Sequence, residues 1–151
     1  MALQEIDIRS TTPATPGQVC RLLDDSATWP SWTPIDTFVL IAPGDGEGPG
    51  EVREFITGKY TVREEIVERR HERRLSYVLL SGLPLRDYRA EIELTPAPGG
   101  NDIRWHTVFN SKVPGMGPLY RRGLDKVTRR FVEGLAERAG ATADRDRTRK
   151  R

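Results

Sequence analysis

The feature that most constrains this chain is a run of six β-like segments between residues 35 and 111, each joined to the next by a short turn. They are IDTFVLIA (35–42), EVREFIT (51–57), YTVREEIVERR (60–70), RLSYVLLS (74–81), RDYRAEIELT (86–95) and DIRWHTVFNS (102–111). A parallel crossover consumes a dozen or more residues, so connections this short impose antiparallel pairing on successive strands. Residues 3–9 add a seventh strand, because Ile6 and Ile8 alternate with polar neighbours. PGDGEGPG (43–50) has no lysine, lacks the GxGxxG spacing and precedes a strand instead of a helix, so it reads as a flexible hairpin loop and not as a phosphate cradle. SGLP (81–84) reads as a tight β-turn.

Two short helices are predicted between the first strand and this run. Thr15 can cap the first, Pro16 suits its first position, and Gln18 stands three residues after the cap, where its side chain can reach back. Asp25 or Ser26 can cap the second, with Pro30 as its stop. In WPSWTP (29–34) the two indoles are expected to plug the core more than to wall a ligand site, with Trp29 anchoring the short helices against the domain and Trp32 lying nearer a cavity mouth. Beyond the strands, Leu119, Tyr120, Leu124, Val127, Phe131 and Leu135 recur every three or four residues. That spacing predicts one amphipathic helix of about 22 residues, roughly 33 Å long, with Gly140 as its stop. The order specifies a single α+β domain over residues 1–139, its seven-stranded antiparallel sheet curling around the long C-terminal helix.

Charge separates this domain from its end. Residues 140–151 hold five cations against two acids, whereas the whole chain has a formal charge of +2, so the rest is slightly acidic. The basic balance therefore belongs to a tail expected to be disordered, and no face specific for nucleic acid is indicated. No run of about 18 apolar residues is present, and Met1–Ser10 does not read as a signal peptide, so a cytoplasmic protein without membrane insertion is expected. Cys20 is the single cysteine and sits beside Val19, Leu22 and Leu23, which makes it a buried structural thiol. His71 falls in a solvated hairpin turn, ERRHERR, and His106 on the outer face; neither has a partner at ligand spacing, so no metal and no cofactor are expected.

Strand alternation assigns the interior. Tyr88, Ala90, Ile92 and Leu94 share one face, as do Leu75, Tyr77 and Leu79, and Ile103, Trp105, Thr107 and Phe109. In 60–67 the inward set is Tyr60, Val62, Glu64 and Ile66, whereas 35–42 and 51–57 are apolar on both faces and leave Phe38, Arg53, Glu54 and Phe55 unassigned. Glu64 is the informative residue, because a carboxylate on an apolar face must be hydrogen-bonded, paired or protonated. It is either a general acid/base or polar anchor, or one half of an ion pair with Arg53 or Arg63. Tyr77 and Tyr88 are the accompanying hydroxyl candidates. No Ser/His/acid triad is visible.

The stretches LLDDSATWPSW, YTVREEIVERRHERRLSYVLLSGLP and DIRWHTVF, in this element order, resemble the START-like superfamily of polyketide cyclase/dehydrase and lipid-transport domains. The resemblance implies a helix-grip fold with a cavity between sheet and helix. It implies binding of a small hydrophobic molecule there, such as a lipid or a polyketide-like aromatic compound. The expected wall is Trp32, Val62, Glu64, Tyr77, Tyr88, Trp105, Phe109, Leu124, Val127 and Phe131. Two other readings stay open: an aromatase/cyclase-like enzyme using Glu64, Tyr77 and Tyr88, and a non-catalytic regulatory or chaperone-partner protein that uses the basic tail and the glycine loop. Oligomeric state is not encoded in any feature of the sequence.

Overall fold

The computed structural model describes residues 3–45 and 48–149. Strand β1 (Gln4–Thr12) leads into α1 (Pro16–Asp24) and a 3-10 turn over Ser26–Ser31. Strands β2 (Thr37–Pro43), β3 (Glu51–Thr57), β4 (Tyr60–Arg70), β5 (Arg74–Ser81), β6 (Leu85–Ala97) and β7 (Gly100–Ser111) follow, and α2 (Gly117–Arg149) closes the chain. One sheet runs in the order β1-β7-β6-β5-β4-β3-β2, and every neighbouring pair is antiparallel. Register shifts in the β2–β3, β4–β5 and β6–β7 pairs mark bulges, which bend a strand and steepen its twist. The sheet can therefore curl over α2 in the helix-grip arrangement.

The predicted helix start is built as expected. Thr15 Oγ1 accepts from the Gln18 amide at 3.2 Å, and Gln18 Oε1 accepts from the Thr15 amide at 2.9 Å. Asp25 caps the 3-10 turn by accepting from the Ala27 amide at 3.2 Å. Pro30, expected to stop this turn, lies inside it. The turn ends one residue later, at Ser31, and the amides of Trp32 and Thr33 then both close on the Trp29 carbonyl.

Helix α2 departs from expectation in register and in length. Its buried line is Thr128, Val132, Leu135, Ala139 and Ala143, while Val127 is 41% exposed. Val127 is thereby excluded from the interior wall, because one residue turns a helix by about 100°. The contact is made through small residues that an apolar-periodicity count passes over. A Cβ on Gly134 would stand 1.8 Å from the Trp32 carbonyl oxygen, so only glycine lets α2 press on that backbone. Gly140 is not a stop: it is buried beside Pro13, and the helix continues to Arg149. Residues 140–149, expected to be disordered, are thus helical, with Ala143 buried and Gln18 Nε2 donating to Asp146 Oδ2 at 2.8 Å. Residues 150 and 151 of that tail, and Gly46 and Glu47 of the glycine loop, lie outside the described residues.

The alternation assignments for β6 and β7 hold: Ala90, Ile92, Leu94, Ile103, Trp105, Thr107 and Phe109 are all buried, and Tyr88 is partly buried. In β4, Glu64 and Ile66 point inward, Val62 is half-buried, and Tyr60 is exposed because it stands at the β3–β4 turn, beyond the core. His106 lies on the outer face, 3.2 Å from Glu5.

Candidate ligand site: an aromatic interior around a buried ion pair

Between the sheet and α2 the centre is Trp29, which has no exposed surface. Its ring lies 4.9 Å from that of Trp32, 5.3 Å from Phe55, 5.7 Å from Trp105, 6.1 Å from Tyr77 and 6.3 Å from Phe131. The 3-10 turn delivers this indole, and its Nε1 donates to the Leu23 carbonyl at 3.1 Å, which fixes the ring to the end of α1. The expected anchoring role of Trp29 is met, but the residue also fills the space where a cavity was expected.

Arg53 lies against this ring and is likewise fully buried. Its guanidinium carbon is 4.0 Å from the centre of Trp29, 4.7 Å from Phe55 and 4.8 Å from Tyr77. A desolvated cation over aromatic faces gains on the order of 2 kcal/mol. Glu64, its cross-strand partner in the β3–β4 register, supplies the counter-charge: Nε donates to Glu64 Oε1 at 3.1 Å. Of the two partners open to Glu64, Arg53 is the one used, and Arg63 pairs with Glu54 on the outside at 2.8 Å. Arg53 Nη1 donates to Ser26 Oγ at 3.0 Å, and Ser26 donates in turn to Glu51. Glu51 accepts from Arg69 Nη2 at 3.1 Å, so the polar chain runs from the interior to the outside of α1.

The protonation of this group follows from its burial. Desolvation pushes the Glu64 carboxyl above its usual range, and Arg53 offsets only part of that. Burial also raises the Tyr77 and Tyr88 phenols, with the Glu64 charge adding to both, so both remain hydroxyl donors. The Tyr88 hydroxyl interacts with Tyr77 and Thr107. Two polar atoms retain unused bonding capacity. Thr107 Oγ1 makes no well-formed hydrogen bond, and Arg53 Nη2, although 3.1 Å from Glu64 Oε1, is not aligned to donate to it.

Of the residues expected to wall the site, Trp32, Glu64, Tyr77, Tyr88, Trp105, Phe109 and Phe131 gather around Trp29 and Arg53. Leu124 packs on the same core, Val62 lies at its edge and Val127 is outside. Trp32 is buried against Trp29 and also borders an open surface groove of about 690 Å³, shared with Pro34, Arg130, Gly134 and Arg138. While Arg53 holds it, Glu64 is not a loose carboxylate.

The tryptophan pair fills the core as expected, whereas sequence reasoning missed the inward aim of Arg53. The one signal for Arg53 was its parity with Phe55 on the same strand. Sequence reasoning also found no metal-ligand set, yet α1 and the β4–β5 turn bring donor atoms of Cys20, Asp24 and His71 within 4.8 Å of one another. The Cys20 thiol, buried as expected, is pushed up to about 11 by burial and by its hydrogen bond to Asp24.

Comparison with known proteins agrees with this architecture. A START superfamily protein of Mycobacterium smegmatis superposes with a TM-score of 0.78 at 12% identity, covering 91% of this chain and 98% of that one. A Thermobifida fusca protein solved by solution NMR gives 0.77 at 24% identity, covering 91% and 93%. A Thermus thermophilus protein gives 0.73 at 21%, covering 92% and 99%. At these identities the likeness is one of fold. No curated protein matches the chain in sequence. The family described as "Polyketide cyclase / dehydrase and lipid transport" matches residues 4–140, almost the whole folded domain, and it is to this family that the chain belongs.

Proposed function

We propose that this protein binds a small, largely aromatic molecule carrying an anionic or carbonyl acceptor, in the interior between the sheet and α2. The observation that carries the reading is Arg53: a guanidinium without exposed surface, paired with a single carboxylate and stacked on Trp29 in an otherwise aromatic interior. A buried ion pair is a poor stabiliser, and apolar residues of the same volume commonly do as well or better. A ligand acceptor would use the capacity left on Arg53 Nη2 and on the hydroxyls of Thr107, Tyr77 and Tyr88. Pockets of this kind combine apolar walls with a few convergent polar groups.

Trp29 occupies this space, so binding requires the 3-10 turn to swing the indole aside. The turn is short and is tied to α1 and β3 through side chains: Trp29 Nε1 to the Leu23 carbonyl, Thr28 Oγ1 to the Leu22 carbonyl, Arg53 to Ser26 and Ser26 to Glu51. The cyclase-like alternative needs a mobile carboxylate, and the Glu64 pairing disfavours it.

Titration with 8-anilinonaphthalene-1-sulfonate tests the reading. Saturable one-to-one binding with quenching of tryptophan emission is expected. The double variant Arg53→Met/Glu64→Leu should bind the sulfonate no better than neutral N-phenylnaphthylamine. Absence of saturable binding by the folded wild type, or a double variant that keeps the preference for the sulfonate, contradicts it.

A further inference from the structure

A second chemical cluster lies outside the interior, where α1 meets the β4–β5 turn. Cys20 and Asp24 are one helical turn apart and share a face, and the turn folds His71 over them. Cys20 Sγ stands 3.0 Å from Asp24 Oδ2 and 3.8 Å from His71 Nδ1. Tetrahedral zinc with ordinary Zn–S, Zn–N and Zn–O bonds separates its ligand atoms by about 3.4–3.6 Å. The three donor atoms already lie within 4.8 Å of one another, and the His71 side chain is 79% exposed, so rotation of the imidazole can close what remains.

The surroundings orient the three donors. Glu72 Oε1 lies 3.6 Å from His71 Nε2, a carboxylate on the far imidazole nitrogen that leaves Nδ1 turned toward the sulfur. The room for that carboxylate comes from Gly17, where a Cβ would stand 2.8 Å from Glu72 Oε1. Glu72 itself takes the left-handed conformation, φ 61°, and its amide donates to Cys20 Sγ at 3.4 Å. On the other side Arg69 Nε approaches Asp24 Oδ1 at 3.8 Å, leaving Oδ2 on the sulfur side.

We propose that Cys20 Sγ, Asp24 Oδ2 and His71 Nδ1 form a three-ligand site for a zinc-type divalent cation, with water as the fourth ligand, that clamps the β4–β5 turn to α1. The cation takes the position of the thiol proton that Cys20 now directs at Asp24, and each binding event releases that proton to solvent. The partly exposed Asp24 and the exposed His71 leave an access path from solution.

The test is titration of the metal-free full chain with cobalt(II) as a spectroscopic stand-in, then with zinc(II). One equivalent of cobalt should produce a thiolate-to-cobalt charge-transfer band with the visible bands of a tetrahedral site, and zinc should bleach them. Glu72→Gln should lower the apparent affinity about tenfold, the usual loss for a residue that only orients a ligand, and His71→Ala should lower it further. Zinc should raise the melting temperature of the wild type and leave that of His71→Ala unchanged. His71 is exposed, so this variant is expected to fold, and circular dichroism checks it. No charge-transfer band from folded wild type overturns the proposal, as does a His71→Ala variant that matches the wild type in cobalt affinity or in its zinc response.

Discussion

The two halves of the sheet are covered by different means. Over β1 and β7, helix α2 supplies an apolar line of Val132, Leu135, Ala139 and Ala143 facing Ile6, Ile8 and Ile103, and small residues let the backbones approach. Over β3, β4 and β5 the cover is one indole from a short turn, and beneath it lie a buried cation, a buried carboxylate and Tyr77. The first half does what a fold requires. The second carries desolvated charge, held under a short turn that side chains bond to α1 and β3. The binding proposed above is placed on the β3–β5 side for this reason.

Truncation on each side should separate stability from binding. Trp29→Ala is expected to cost about 3–5 kcal/mol and Leu135→Ala about 2–5 kcal/mol, both read from urea unfolding. Saturating anilinonaphthalene sulfonate should restore much of the loss in Trp29→Ala and little in Leu135→Ala. Equal rescue of both, or of neither, would erase the contrast between the halves.

The ion pair offers the next largest effect. Glu64→Leu alone leaves the Arg53 charge buried without its carboxylate, at a cost of about 3–5 kcal/mol, whereas Arg53→Met/Glu64→Leu together should be neutral or stabilising. A double variant as unstable as the single one would show that the pair is structural. Binding would then need another explanation.

A smaller effect should appear with pH. Because the folded-state pKa of Glu64 is raised, its contribution is fully present below the unfolded carboxylate pKa and is lost as pH rises through the folded value. From about pH 4 upward, the urea midpoint of the wild type should fall relative to that of Glu64→Gln, which cannot ionise. A gap that stays constant, or moves the other way, would place Glu64 in a setting where Arg53 dominates.

These contrasts also explain what could be read from the sequence. The strand run, the capping box at Thr15 and Gln18 and the inward faces of β6 and β7 were legible, because each rests on local periodicity or local hydrogen bonding. Glu64 stood out for the same reason, as a charge breaking an apolar alternation. Arg53 did not, because β3 has half-buried apolar residues on its opposite face and so lacks a clean alternation. The register of α2 was misread at Val127 because the helix docks through Gly134, where what matters is a missing side chain. Trp29 became central only through contacts with four different elements, and Cys20 met His71 across 51 positions of chain; neither leaves a local trace.

The most direct measurement is an NMR titration of the 15N-labelled protein with anilinonaphthalene sulfonate, following the indole Nε1–H signals and the Arg53 Nε–H. Ligand passage behind the 3-10 turn predicts that the Trp29 indole proton, bonded to the Leu23 carbonyl in the free protein, shifts together with Arg53 Nε–H. Shifts confined to Trp32 and Arg130 at the surface groove, with Trp29 and Arg53 unmoved, would contradict an interior site.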